Sequence, residues 1–308
     1  MCLRISMPSK VDMVITTAAL ATYLLIGNCA GWSQTTQSEN DLAEKLMGMA
    51  AEGNAAAQLR LADMYATGDG VPKDSALAAV WYREAAQRGL ALAQFNLALL
   101  LNHGDGVPKD SGQAVVWYRK AAEQGLAIAQ SNLGLMLRNG EGGQIDFEQA
   151  AMWFHKAADQ GDEMAQINIG ELYQNGEGVP KDYLEAISWY RKAAEKGSAL
   201  AQSILGLMYA KGKGVPEDAS EAIKWLSKAA DQGNAEAMYN LAAIYMNGKG
   251  VKKDISEAYM WLNLAAPHFD KARSMREQIE MLMDSREISK GQSLTREWLE
   301  KHPQKESN

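Results

Sequence analysis

Two ladders of identical period run through this sequence. Glycine recurs at Gly53, Gly89, Gly125, Gly161, Gly197 and Gly233, and tryptophan at Trp81, Trp117, Trp153, Trp189, Trp225 and Trp261, always 36 residues apart. Self-similarity at such a period marks a repeat array, in which each unit is one supersecondary element that buries its core only against its neighbours. The 308 residues therefore read as six copies of a 36-residue helix-turn-helix unit, not as two ordinary domains.

Each unit is expected to hold two helices. In the first unit one spans roughly 55–67, with Ala57, Leu61 and Met64 at helical spacing. The other spans roughly 75–87, with Ala78, Trp81, Tyr82 and Ala85 on its buried face. Between them Gly68 and Gly70 end the first helix, Pro72 fixes the chain, and Asp74 stands where a carboxylate accepts the free amides of the second helix. That aspartate returns at Asp110, Asp146, Asp182, Asp218 and Asp254, and Gln113, Gln149, Glu185, Glu221 and Glu257 follow three residues later, a capping-box pattern in five of six units. A column of small residues (Ala62, Ala98, Gly134, Gly170, Gly206, Ala242) lets helices approach closely, and the tryptophans read as core. In the third unit Gly143, Gln144 and Ile145 replace the usual Val, Pro and Lys, which predicts a looser loop.

The ends differ. Residues 41–51 read as a lone second-type helix with Lys45 in the tryptophan column. After Pro267 an amphipathic helix is expected over 269–283, and another from Asp284 to near Lys301, anchored by Trp298. At the start, Arg4 and Lys10 precede an uncharged, largely apolar run over 14–26 and then Gly27, Cys29, Ala30 and Gly31. That order is a secretory signal peptide, and the run is short against the roughly 20 residues of a membrane span. A retained N-terminal anchor and a lipidated Cys29 are the alternatives. The expected organisation is a signal peptide over 1–31, a linker and capping helix over 32–50, six repeats over 51–266 and capping helices over 267–308. The expected location is the periplasm or the outside of the cell, with membrane contact only through a retained N-terminus.

Composition argues against several function classes. The formal net charge is -7 and no basic run occurs, so nucleic acid is not an expected partner. The two cysteines, Cys2 and Cys29, both lie in the leader, and the four histidines show no paired metal-ligand spacing. The G-x-G turns recur in every unit and so do not read as a phosphate cradle, and S-x-x-K does not occur. No catalysis, metal or cofactor is expected.

The unit A-x-A-Q-x-x-L-G-x-x-Y-x-x-G-x-G-V-x-x-D followed by A-x-x-W-Y-x-x-A-A, fullest over 165–194 and 201–230, resembles the Sel-one-like repeat, a relative of the tetratricopeptide repeat. The resemblance covers about 41–266. It implies an all-α, right-handed α/α superhelical solenoid with N- and C-terminal capping helices, used as a scaffold or adaptor. Exported bacterial members take part in envelope signalling, polysaccharide export and host contact.

In related helical-hairpin repeats the first helices line the concave face. Residues there without core duty fall on one stripe: Arg60 and Asp63, then Asn96, Leu99 and His103, then Asn132, Leu135 and Asn139. The stripe continues through Asn168, Glu171 and Asn175, Leu207 and Lys211, and Asn240 and Asn247. Asparagine both donates and accepts, so a row of them can hold an extended peptide backbone, with the leucines as apolar spots between. The same asparagines can equally bond to neighbouring helices and hold the superhelix together. The expected function is a non-catalytic, exported scaffold that binds a protein or peptide in this groove. A structural envelope component and a secreted host-contact factor are the alternatives.

Overall fold

The computed structural model describes residues 37–302, and every regular element among them is an α-helix. The expected signal peptide over 1–31 lies outside the described residues. In chain order the first helices are α1 (Gln37–Ala51), α2 (Ala55–Thr67), α3 (Ser75–Gln87), α4 (Ala91–His103), α5 (Ser111–Glu123) and α6 (Ala127–Asn139). Then come α7 (Phe147–Asp159), α8 (Glu163–Asn175), α9 (Tyr183–Glu195), α10 (Ala199–Lys211), α11 (Ala219–Ala230), α12 (Ala235–Asn247) and α13 (Ile255–Ala265). The last two are α14 (Asp270–Glu280) and α15 (Ser285–Lys301). Two compact units divide the chain. One runs to Ala129 and includes Glu141–Gly143; the other holds Gln130–Gly140 and everything from Gln144 onward. The division falls in the third repeat, the one whose loop sequence departs from the rest. Consecutive helices pack pairwise from α1 to α5 and from α7 to α13, and α14 and α15 both pack on α13.

The two glycines of each G-x-G turn do different work. Gly68 ends α2 in the left-handed conformation, with φ 86° and its N–H on the carbonyl of Met64 at 2.8 Å. The second glycine does not end a helix, as the sequence had suggested. A Cβ on Gly106 would lie 2.3 Å from the carbonyl carbon of Ser75, and one on Gly178 2.2 Å from that of Phe147. The turn of one hairpin thus presses on the start of the second helix of the hairpin before it, and only a bare Cα fits.

The repeated aspartates do cap the second helices. Asp74 accepts from the amides of Ala76 and Leu77, both at 3.0 Å. The second arm of the expected box, however, is absent from these repeats. The backbone N–H of Asp74 already donates to the carbonyl of Tyr65 at 2.8 Å, and that of Asp110 to Leu101 at 2.8 Å, closing each hairpin across its turn. With that donor occupied, the Gln113 and Gln149 side chains bond instead to the carboxylates of Asp110 and Asp146, at 2.8 and 2.7 Å. Among the described residues the complete box stands at Asp284 and Glu287, where α15 begins.

The core is made of small residues facing rings. Trp81 is fully buried, Trp153, Trp189, Trp225 and Trp261 are buried, and Trp117 is half-buried. A Cβ on Gly134 would lie 2.7 Å from the Phe154 ring, and one on Gly170 2.8 Å from the Tyr190 ring. Lys156 and Lys192 lie over the Trp153 and Trp189 rings, 4.3 and 3.4 Å from the centroids. At the far end α15 packs on α13. Ser256 donates to the Glu287 carbonyl at 3.0 Å, and Trp298 meets Trp261 edge-on, with ring centroids 6.3 Å apart.

A buried glutamine column, unassigned in the sequence reading, joins successive hairpins. Gln58, Gln94, Gln166 and Gln202 each donate to a carbonyl at the end of the preceding second helix: Ala50, Ala86, Ala158 and Ala194, at 3.0 to 3.1 Å. The free oxygen of Gln94 accepts from Gln124 at 2.7 Å, and that of Gln202 from Gln232 at 2.8 Å. Where the donor position holds Arg88 or Lys196 instead, the oxygens of Gln58 and Gln166 are buried without a partner.

Two predictions follow from this packing. Trp81→Ala is expected to cost about 3–5 kcal/mol, and Trp117→Ala clearly less, read from urea unfolding by circular dichroism. Lys196→Gln supplies the donor Gln166 lacks. Since Gln232 reaches both Gln202 and the Gly197 carbonyl, the variant should also keep the bond that Lys196 makes to Gly161. A gain of about 1 kcal/mol is expected, as a higher urea midpoint at unchanged slope.

Candidate functional site: the first-helix stripe

The stripe residues are set by the core beneath them. Each first helix buries a face such as Ala57, Leu61, Ala62, Met64 and Tyr65 on α2, and the positions between face outward or sideways. In the first unit these residues form a hydrogen-bonded cluster. Asp63 accepts from the Tyr82 hydroxyl at 2.7 Å, and the Asn96 amide nitrogen lies 3.5 Å from the same carboxylate oxygen. Arg60 is exposed, 3.8 Å from Asp69, Leu99 is half-buried, and His103 is exposed.

In the second unit the stripe is less uniform. Asn132 is half-buried, Asn139 is exposed, and neither is without a partner; Leu135 is exposed. Asn168 is buried and uses both ends of its amide inside the chain. Its oxygen accepts from Arg138 at 2.9 Å, and its nitrogen donates to the Met164 carbonyl at 2.9 Å. Arg138 also pairs with Glu171 at 2.6 Å. Asn168 is thus a structural bridge, whereas the Asn240 amide nitrogen is buried with no hydrogen-bond partner.

Two adjoining cavities open along this part of the stripe. One, of about 370 Å³, is lined by Arg138, Glu171, Gln174, Asn175, Tyr190, Ile204, Leu207, Met208, Lys211 and Lys213. The other, of about 190 Å³, shares Leu207 and Lys211 and continues through Ala210, Asn240, Ala243, Ile244 and Asn247 to the Lys249–Glu217 ion pair. Six expected residues are brought together here: Glu171, Asn175, Leu207, Lys211, Asn240 and Asn247. Arg138, Tyr190 and Lys213 were not anticipated. A signal for Lys213 exists in the sequence, because the middle residue of the G-x-G turn is Asp69, Asp105, Glu141 and Glu177 in four repeats and Lys213 and Lys249 in the last two.

The tyrosines under the stripe are held protonated. Burial pushes up the hydroxyls of Tyr82 and Tyr190, helped by Asp63 in the first case and by Glu171 in the second, where Arg138 opposes. Tyr65 and Tyr118 are each pushed up to about 12, by burial first and then by Asp74 and Glu141. All four therefore keep the hydroxyl hydrogen; Tyr82 donates it to Asp63, while the hydroxyls of Tyr65 and Tyr190 are buried without a partner.

The Sel1 repeat family model matches residues 55–90, 91–126, 127–162, 163–198, 199–234 and 235–266. The chain belongs to the Sel1 repeat family. It is all-α, built of six helical-hairpin repeats at 36-residue spacing. Among solved structures it is similar to a Sel1 repeat protein from Oxalobacter formigenes, at 41% identity and TM-score 0.67, over 72% of this chain and 90% of that one. It is also similar to a protective antigen present in uropathogenic Escherichia coli strains and displaying an SLR fold, at 36% identity and TM-score 0.74. That match takes in 84% of this chain, which spans just over half, 56%, of the antigen. No curated protein matches the sequence. Sel1 repeat proteins are generally protein-interaction scaffolds and generally non-catalytic.

The tyrosine shifts set an alkaline limit on stability. In the unfolded chain a phenol loses its proton near its ordinary value of 10.0, while folded Tyr65 and Tyr118 keep theirs to about 12. Between those values the folded state binds more protons, so stability is fully present below pH 10 and falls as pH rises toward 12. Urea unfolding across that window, with phenolate absorbance recorded in parallel, should show phenolate appearing together with unfolding.

Proposed function

We propose that this Sel1 repeat chain is an exported, non-catalytic scaffold that binds an extended segment of a partner protein along the first-helix stripe of its second unit. The observation that carries the reading is the pair of adjoining cavities, joined at Leu207 and Lys211 and lined by six of the stripe residues. Two neighbouring clefts that mix apolar walls with polar and charged groups suit a peptide better than a compact metabolite. Export is supported by the charge, apolar run and small residues over 1–31, and an exported chain would reside in the periplasm or outside the cell. A secreted host-contact role is the second reading, favoured by the 36% identity to the E. coli protective antigen.

A photoreactive amino acid introduced in cells at Leu207, or at Leu184 on α9, tests the groove. Leu184 is 64% exposed and lies outside both cavities, so it serves as the surface control. Crosslinking of a discrete partner from position 207 and not from 184 is expected; equal capture from both positions counts against the groove. Cell fractionation with an intact-mass measurement of the recovered chain checks export.

A further inference from the structure

The two adjoining cavities differ in chemistry, and the difference selects a ligand. In the larger one, Glu171 is neutralised by Arg138 at 2.6 Å. Lys211 and Lys213 are exposed and have no acidic partner among the described residues. The cavity is therefore cationic, in a chain whose formal net charge is -7. Tyr190 lines the same cavity, fully buried, with its hydroxyl unpartnered. Apart from Lys211, which both cavities share, the smaller cavity's charges cancel, since Lys249 and Glu217 pair at 2.5 Å, and its walls at Ala210, Ala243 and Ile244 are apolar. It too carries an unanswered donor, the buried amide nitrogen of Asn240.

We infer that the groove takes an acidic peptide segment, with a side-chain carboxylate against Lys211 and Lys213, an apolar side chain in the neighbouring cavity, and a main-chain carbonyl accepting from Asn240. This rests on the reading that the groove binds a peptide at all. The only unpaired charges lining the two cavities, among the described residues, are the two ammonium groups, and the two buried polar atoms left without a partner are a phenol and an amide nitrogen, whereas the amides of Gln174, Asn175 and Asn247 can both donate and accept and so do not discriminate. A basic segment would meet like charge, and a neutral one would leave the ammonium groups unanswered. A polyanion such as nucleic acid needs a longer run of cations than these two lysines provide.

Fluorescence anisotropy with the full chain and three labelled peptides tests this. Each peptide carries one leucine, flanked by glutamates, glutamines or lysines. The glutamate peptide should bind tightest and weaken as salt rises. The double variant Lys211→Glu/Lys213→Glu should lower its affinity about tenfold or more and bring up binding of the lysine peptide. Lys228→Glu, on α11 outside both cavities, should leave the affinities unchanged. Equal binding of the glutamate and glutamine peptides, both lost on Leu207→Asp, overturns the charge selection and leaves the groove reading standing. Binding of none of the three, together with no capture from position 207, overturns both.

Discussion

A hairpin of two 13-residue helices cannot cover its own apolar faces, and the close approach of one hairpin to the next is what resolves this. The approach is fixed by backbone sterics rather than by side-chain choice. From the second repeat onward the second glycine of the turn lies where a Cβ would collide with the start of the preceding second helix, as at Gly106 against Ser75 and Gly178 against Phe147. Once the turn is held there, the glutamine column falls within reach of the carbonyls that end the preceding second helix. Those carbonyls also accept from the turn glycine three residues on, as Ala86 from Gly89 and Ala158 from Gly161, so the glutamine adds a second bond that ties a helix end to the next hairpin. Stability and spacing thus come from one contact, and the stripe residues take no part in it.

Much of this was readable in the sequence because a period repeated six times averages away local noise. The helix pairs, the aspartate caps, the small-residue column and the tryptophan core all rest on positions that recur in every unit. The failures have specific causes. The capping box looked complete because spacing reveals which side chains are available but not which backbone donors are already occupied, and the Asp74 and Asp110 amides are taken by Tyr65 and Leu101. The second glycine looked like a helix stop because its neighbour is another hairpin, not its own helix. The glutamine column was passed over because glutamine reads as a surface residue; only its burial against carbonyls shows that it belongs to the interface.

The stripe was legible as a set of positions but not as a site. A row of asparagines suggested one uniform peptide-holding surface. The structure distinguishes Asn168, which uses both ends of its amide internally, from Asn240, whose donor is open. What separates them is Arg138, a residue with no counterpart in the other repeats: its column otherwise holds Ala66, Asn102, Gln174, Ala210 and Met246. Positions that maintain the fold repeat, and positions that vary carry whatever is particular to this chain. A reading based on recurrence finds the first class and is blind to the second.

That asymmetry explains how one column can be closed in one repeat and open in another. In the first repeat Asp63 accepts the Tyr82 hydroxyl directly at 2.7 Å, so a short acid seals its tyrosine. In the fourth repeat the same columns hold Glu171 and Tyr190. The longer acid turns to Arg138, and the Tyr190 hydroxyl is left buried, protonated and unpartnered beside a cavity. The cost of an unanswered buried donor is about 1–3 kcal/mol, too small to disrupt a fold held by many repeated contacts. It is large enough to be recovered as affinity by any group that supplies an acceptor. A repeat array tolerates such local departures because each hairpin is held by its neighbours on both sides, and departures of this kind are where an otherwise uniform stack gains a preference for one ligand.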